Sequence, residues 1–131
     1  MRKPIGISTL EKAYHFIYEF KNSRDRYLYV QKFTAIELKY IDVLAHEFLS
    51  EVNIDNLDLA SLLDIVSQIA LEDSKWNRDL ANTLHIFYRH IELDQKEEGM
   101  QILKEFIDVC PSSWYCSLAE IELENFHSSS S

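Results

Sequence analysis

The sequence predicts an all-α fold, a compact bundle of about six antiparallel helices. Three observations carry that reading. Only four of the 131 residues are Gly or Pro (Pro4, Gly6, Gly99 and Pro111), whereas a sheet-rich chain needs turn residues about every ten positions. Apolar residues recur at three- and four-residue steps along most of the chain. The polar breaks between those stretches are short, which sets successive helices side by side and antiparallel. A chain of this length buries roughly 68% of its unfolded surface, and 47% apolar content supplies a core without disulfides or metal. One helical domain is expected over 1–126. His127 and the four serines after it read as a disordered tail.

The first helix is expected over 8–21. Ser8 and Glu11 have capping-box spacing, and Leu10, Ala13, Tyr14, Ile17 and Phe20 form an inner stripe. A long second helix is expected over 25–51, with Tyr29, Phe33, Ile36, Tyr40, Val43 and Leu44 inward. Tyr27-Leu28-Tyr29-Val30 is the one stretch where a short strand competes, being aromatic and β-branched. A break near Thr34 is open. A third helix is expected over 57–71, with Leu59, Leu62, Leu63, Val66, Ile69 and Ala70 inward.

A fourth helix is expected over 74–93, built on Leu80, Leu84, Phe87 and Ile91. Its outer stripe reads Arg78, Asn82, His85, Arg89. Asp94 is placed to cap a fifth helix ending at Val109, with Met100, Leu103, Phe106, Ile107 and Cys110 inward. Gly99 inside it costs roughly 1 kcal/mol relative to Ala, and close approach of the preceding helix would explain it. Pro111 ends that helix. Ser112 or Ser113 caps a last one over 114–125. Trp114 reads as core, with interface anchor as its alternative.

Charge is uneven along the chain. Thirteen Lys and Arg stand against 22 Asp and Glu, a net charge of −9, and residues 51–131 hold five basic and sixteen acidic groups. That surface repels phosphate backbones and anionic lipid, which argues against nucleic-acid and membrane partners. It attracts a basic protein and speeds its encounter; solubility alone is the plainer reading. Glu120, Glu122 and Glu124 near the expected end of the last helix face the negative end of its dipole. Either another helix neutralises them or they serve a partner.

Known catalytic patterns are missing. His46-Glu47 begins an HExxH, but Ser50 stands where the second histidine belongs. Asp42 and His46 are four apart and can touch, as a structural hydrogen bond or as an acid–base pair. Cys110 and Cys116 lack zinc-site spacing; they read as reduced thiols, with a disulfide as the alternative. No apolar run reaches the length of a membrane span, and Pro4-Ile5-Gly6-Ile7 is too short for a secretory signal. A cytoplasmic protein that is not an enzyme and holds no cofactor or metal is expected.

The stretch Phe106-Ile-Asp-Val-Cys-Pro-Ser-Ser-Trp-Tyr-Cys-Ser-Leu-Ala-Glu-Ile-Glu-Leu123 resembles the ends of small α-helical bacterial immunity proteins. These belong to contact-dependent growth inhibition and related polymorphic toxin systems. The resemblance implies a protein that binds a cognate toxin domain 1:1 and occludes its active or substrate-binding surface. The toxin would be a basic nuclease, since a nuclease surface must hold phosphates. The resemblance assigns no individual residue. Charge and helical spacing put the partner-binding candidates at Asp58, Asp64 and Glu72, at Asp94, Glu97 and Glu98, and at Glu120 and Glu124. The alternative is a tetratricopeptide-like helical adaptor holding a partner peptide in a groove. Gly99, Leu103 and Pro111 fit that repeat, but Phe106 stands where it wants a small residue and no second copy exists.

Overall fold

The computed structural model describes residues 7–23, 34–49, 53–55 and 57–129. Among them the regular structure is entirely α-helical. Five helices run in the order α1 (Ile7–Lys21), α2 (Ala35–Phe48), α3 (Leu59–Glu92), α4 (Lys96–Val109) and α5 (Ser113–Ser129). Contacts group the chain into two compact units, Met1–Asp73 and Ser74–Ser131.

In the first unit α1 packs on α2. Leu10, Ala13, Tyr14, Ile17 and Phe20 are all buried, as the periodicity predicts, and Phe16 joins them. The Phe16 ring lies 6.2 Å from Tyr40, and Tyr14 meets Phe48 edge-on at 6.0 Å. Of the helix expected over 25–51, the part from Ala35 forms α2; Thr34, the open break point, is extended and caps it, and residues 25–33 lie outside the described residues. Glu37 N–H donates to Thr34 Oγ1 at 3.2 Å and Thr34 N–H donates to Glu37 Oε1 at 3.0 Å. This reciprocal box satisfies two backbone donors that the first turn leaves open. Ile36 therefore falls in the first turn and is exposed rather than inward; the core residues of α2 are Ile41, Val43, Leu44 and Ala45. Tyr27-Leu28-Tyr29-Val30 lies outside the described residues.

The helices expected over 57–71 and 74–93 are one. The two expected helices leave only Glu72 and Asp73 between them, and α3 runs through Glu72-Asp73-Ser74-Lys75 without interruption. Those four residues include no Gly or Pro, so the backbone can stay helical. The buried carboxylate that a break would have put in water is instead paired. Asp73 is 3% exposed, and its Oδ2 accepts from Lys21 Nζ at 2.6 Å. Lys21 sits in the last turn of α1, where a cation also suits the helix dipole.

The second unit holds the later part of α3 together with α4 and α5. Leu80, Phe87, Leu103, Phe106, Cys110, Tyr115 and Ala119 are buried. Trp76 meets Phe106 edge-on at 6.0 Å, and Phe87 meets Phe126 at 5.6 Å. Trp114, read as core, is only half-buried, and the adjacent Tyr115 takes the interior place. Gly99 sits where α3 comes closest: a Cβ there would lie 3.2 Å from Phe87 Cδ2 and 3.4 Å from His90 Cβ. Close approach is thus the reason for that glycine.

Asp94 does not cap α4. It takes φ 58° in the turn that closes α3. Gln95 N–H donates to His90 O at 2.8 Å and Asp94 N–H to Ile91 O at 3.1 Å. That pair of bonds is a Schellman closure, in which one residue must be left-handed, and a short polar side chain tolerates that conformation better than most. His90 Nδ1 and Gln95 Oε1, 2.7 Å apart, brace the same turn. Ser112, fully buried, caps α5 by accepting from Tyr115 N–H at 3.1 Å. α5 continues to Ser129, past position 125 where the sequence suggests it ends.

Two outcomes follow from this packing. Lys21→Ala removes the 2.6 Å contact to the buried Asp73 carboxylate and should lower stability in urea unfolding, whereas Lys21→Met with Asp73→Leu should restore most of the loss. Gly99→Ala should destabilise by about 1 kcal/mol despite the gain in helix propensity, because the ring it meets is itself buried and clasped. A more stable Gly99→Ala protein would mean that the α3–α4 approach is looser than described.

Candidate functional site

The eight carboxylates singled out by charge fall into different physical roles. Asp58 caps α3: Ser61 N–H donates to its Oδ1 at 2.7 Å, and Leu62 N–H bonds its carbonyl at 3.0 Å. The Ser61 hydrogen bonds hold its pKa below the ordinary carboxylate value. Asp64 is exposed and accepts from Gln68 Nε2 at 2.8 Å one turn on. Glu72 is half-buried. These three belong to the first unit; the other five belong to the second.

Asp94 is exposed and has the left-handed turn role given above. Glu97 and Glu98 lie exposed in the first turn of α4, where the helix dipole favours negative charge. Glu120 and Glu124 are different. They are exposed, one helical turn apart on α5, and make no hydrogen bond or ion pair among the described residues. Like charges at that spacing repel by a few tenths of a kcal/mol. Ile121, 51% exposed, flanks Glu124 three positions along the helix, with Leu118 beside it at 39%. An apolar centre with an acidic edge, and no internal reason for either, is the composition of a contact surface.

The third glutamate of that run is not part of it. Glu122 accepts a short hydrogen bond from the Tyr88 hydroxyl. It ties α5 to α3 and accounts for one of the acids that the sequence leaves without a neutralising group. The bond to the carboxylate raises the Tyr88 pKa to about 12.

The other candidate chemistry is local. His46 Nδ1 lies 2.8 Å from the Asp42 carbonyl oxygen and 3.3 Å from Asp42 Oδ1, a one-turn contact within α2 on partly exposed side chains. Cys110 and Cys116 are free thiols, and Cys116 Sγ points at the carbonyl of Cys110, 3.3 Å away. Among the described residues no group of three or more His, Cys, Asp or Glu is placed to hold a metal ion, and no helix is long and apolar enough to cross a membrane.

Two concave regions accompany these surfaces. One, of about 530 Å³, lies between α1 and α2 against Phe16 and Tyr40, with Glu11, Glu19 and Glu37 around it. The other, of about 430 Å³, lies between the later part of α3 and α4. Sequence reasoning singled out neither, since each needs two helices at once. No known protein family, curated protein or solved structure matches the chain.

The Tyr88–Glu122 bond has a measurable consequence. A donor hydroxyl held by a carboxylate keeps its proton in the folded state to about pH 12, while the unfolded chain releases it near 10. This contribution to stability is therefore complete below pH 10 and is lost as pH rises to about 12. Carbon-13 spectra of ζ-labelled tyrosine should place Tyr88 above the other tyrosines, and Glu122→Gln should bring it back toward 10. An unmoved Tyr88 resonance in Glu122→Gln would remove this bond from the account.

Proposed function

We propose that the chain is an immunity protein of the cytoplasm that binds a basic toxin domain 1:1, a nuclease by charge, and occludes its active or substrate-binding surface. The observation that carries this reading is the outer surface of α5, where exposed Ile121 and Leu118 are flanked by Glu120 and Glu124 with no internal partner among the described residues. The acidic first turn of α4 adds charge in the same unit. Support also comes from the resemblance around 106–123 and from the net charge of −9. Acids at the edge of such a surface act on the association rate, and the apolar centre acts on the dissociation rate. A standard interface needs about 800 Å² from each partner, so more than one such patch would take part.

The test is co-expression of the chain with the C-terminal domain of the large secreted protein encoded immediately upstream. That domain alone should stop growth, and the chain should rescue it. Glu120→Lys with Glu124→Lys should slow association at least about tenfold at low salt and flatten its salt dependence, because the Debye length falls from about 10 Å at 0.1 M to about 3 Å at 1 M. No upstream toxin, no rescue, or rescue with salt-independent binding that ignores every charge reversal would contradict the reading.

A further inference from the structure

We propose that the groove between the later part of α3 and α4 is the docking site for a basic amphipathic helix of the partner, an inference that rests on the partner-binding reading above. Trp76 and Ile86 of α3 and Phe106 and Val109 of α4 line it, with Asp79 and Glu105 as its ionisable groups. Ile86 is 44% exposed and Val109 67%. Phe106 and Val109 are three residues apart on one face of α4, so they form a stripe rather than scattered surface residues. The indole N–H of Trp76 is buried and has no hydrogen-bond partner, which marks this wall as incompletely satisfied.

Charge chooses the occupant. Both ionisable groups in the groove are acidic. Asp79 makes no hydrogen bond or ion pair among the described residues, and Glu105 accepts only a long bond, 3.4 Å, from Gln101 Nε2. Each carboxylate keeps acceptor capacity for a guanidinium or ammonium group. The Lys75 ammonium already lies 4.7 Å from the centre of the Trp76 ring, so this indole accepts a cation against its face. A second copy of the chain is disfavoured, since each copy carries −9.

Geometry chooses a helix. The walls are two α-helices, whose backbone groups are spent internally, so an extended segment would enter with its own N–H and C=O groups unpaired. A helix satisfies its own backbone and offers apolar anchors at i, i+3 or i+4, and i+7. The span from Trp76 to Ile86 is about 15 Å at 1.5 Å per residue, room for about three turns. Lys or Arg flanking the anchors would meet Asp79 and Glu105.

The probe is a synthetic helix of Leu and Lys at those spacings, with a Leu and Glu peptide of the same pattern as control. The protein is the full chain carrying Trp114→Phe, which leaves Trp76 as its one tryptophan. The Leu/Lys peptide should change Trp76 emission saturably and the Leu/Glu peptide should not. Ile86→Ser and Val109→Ser, on different helices and both exposed, should each weaken binding about tenfold, as should Asp79→Asn with Glu105→Gln, with helicity retained by circular dichroism. Glu120→Gln with Glu124→Gln should change it less than about twofold. Absence of binding, equal binding of both peptides, or binding unmoved by the groove substitutions overturns the groove as a site. Growth rescue by the chain separates the two ideas: rescue that survives every groove substitution but fails on α5 charge reversal keeps the immunity reading and removes the groove.

Discussion

The pairing of Lys21 with Asp73 is the constraint at the middle of α3, the helix that contributes to both units. A carboxylate in the middle of a helix, 3% exposed, is tolerable only when its charge is met. Lys21 meets it at 2.6 Å from the last turn of α1, 52 residues earlier in the chain. With that charge satisfied, Glu72-Asp73-Ser74-Lys75 stays helical and α3 contributes residues to both units. Its later part then serves α4 and α5: Phe87 receives the close approach at Gly99 and the ring of Phe126, and Tyr88 holds Glu122. Each contact the partner-binding reading uses is built on that stretch or on a helix packed against it.

The acidic surface is a mixture of groups with different duties. Asp58 closes the start of α3, Asp94 shapes a turn, and Glu97 and Glu98 suit the dipole of α4. Those acids would be kept for folding alone. Glu120 and Glu124 have no such duty and border an exposed isoleucine. The groove between α3 and α4 carries the same pairing of apolar wall and carboxylate, there with two helices rather than one. Both surfaces carry the features on which the proposal of a basic partner rests.

Much of the fold was legible in residue spacing. The inner stripe of α1 and the limits of α4 follow from period and proline. Ser112 as a cap and Gly99 as a point of close approach follow from residue type. The division between 71 and 74 was misread because Glu72 and Asp73 interrupt the apolar period, and the partner that meets the buried Asp73 is distant in sequence. A break near Thr34 was open because apolar residues recur on both sides of it; the capping box of Thr34 with Glu37 decides it. Asp94 has the side chain of an N-cap, and only the backbone reveals that it sits at the end of α3 instead. For the candidate site, composition located the acidic half of the chain but could not separate capping carboxylates from idle ones. That distinction depends on which backbone donors each reaches.

The continuity of α3 is open to direct measurement by amide hydrogen exchange across residues 68–80. If the Asp73 pair holds a single helix, the amides of Glu72, Asp73, Ser74 and Lys75 should be protected to the same degree as those of Ile69 and Leu80, about 10²-fold or more above the free-chain rate. Free-chain exchange confined to those four amides, between two protected stretches, would mean two helices joined by a loop. The ion pair would then not hold residues 72–75 in a continuous helix, and the account of α3 would fail there.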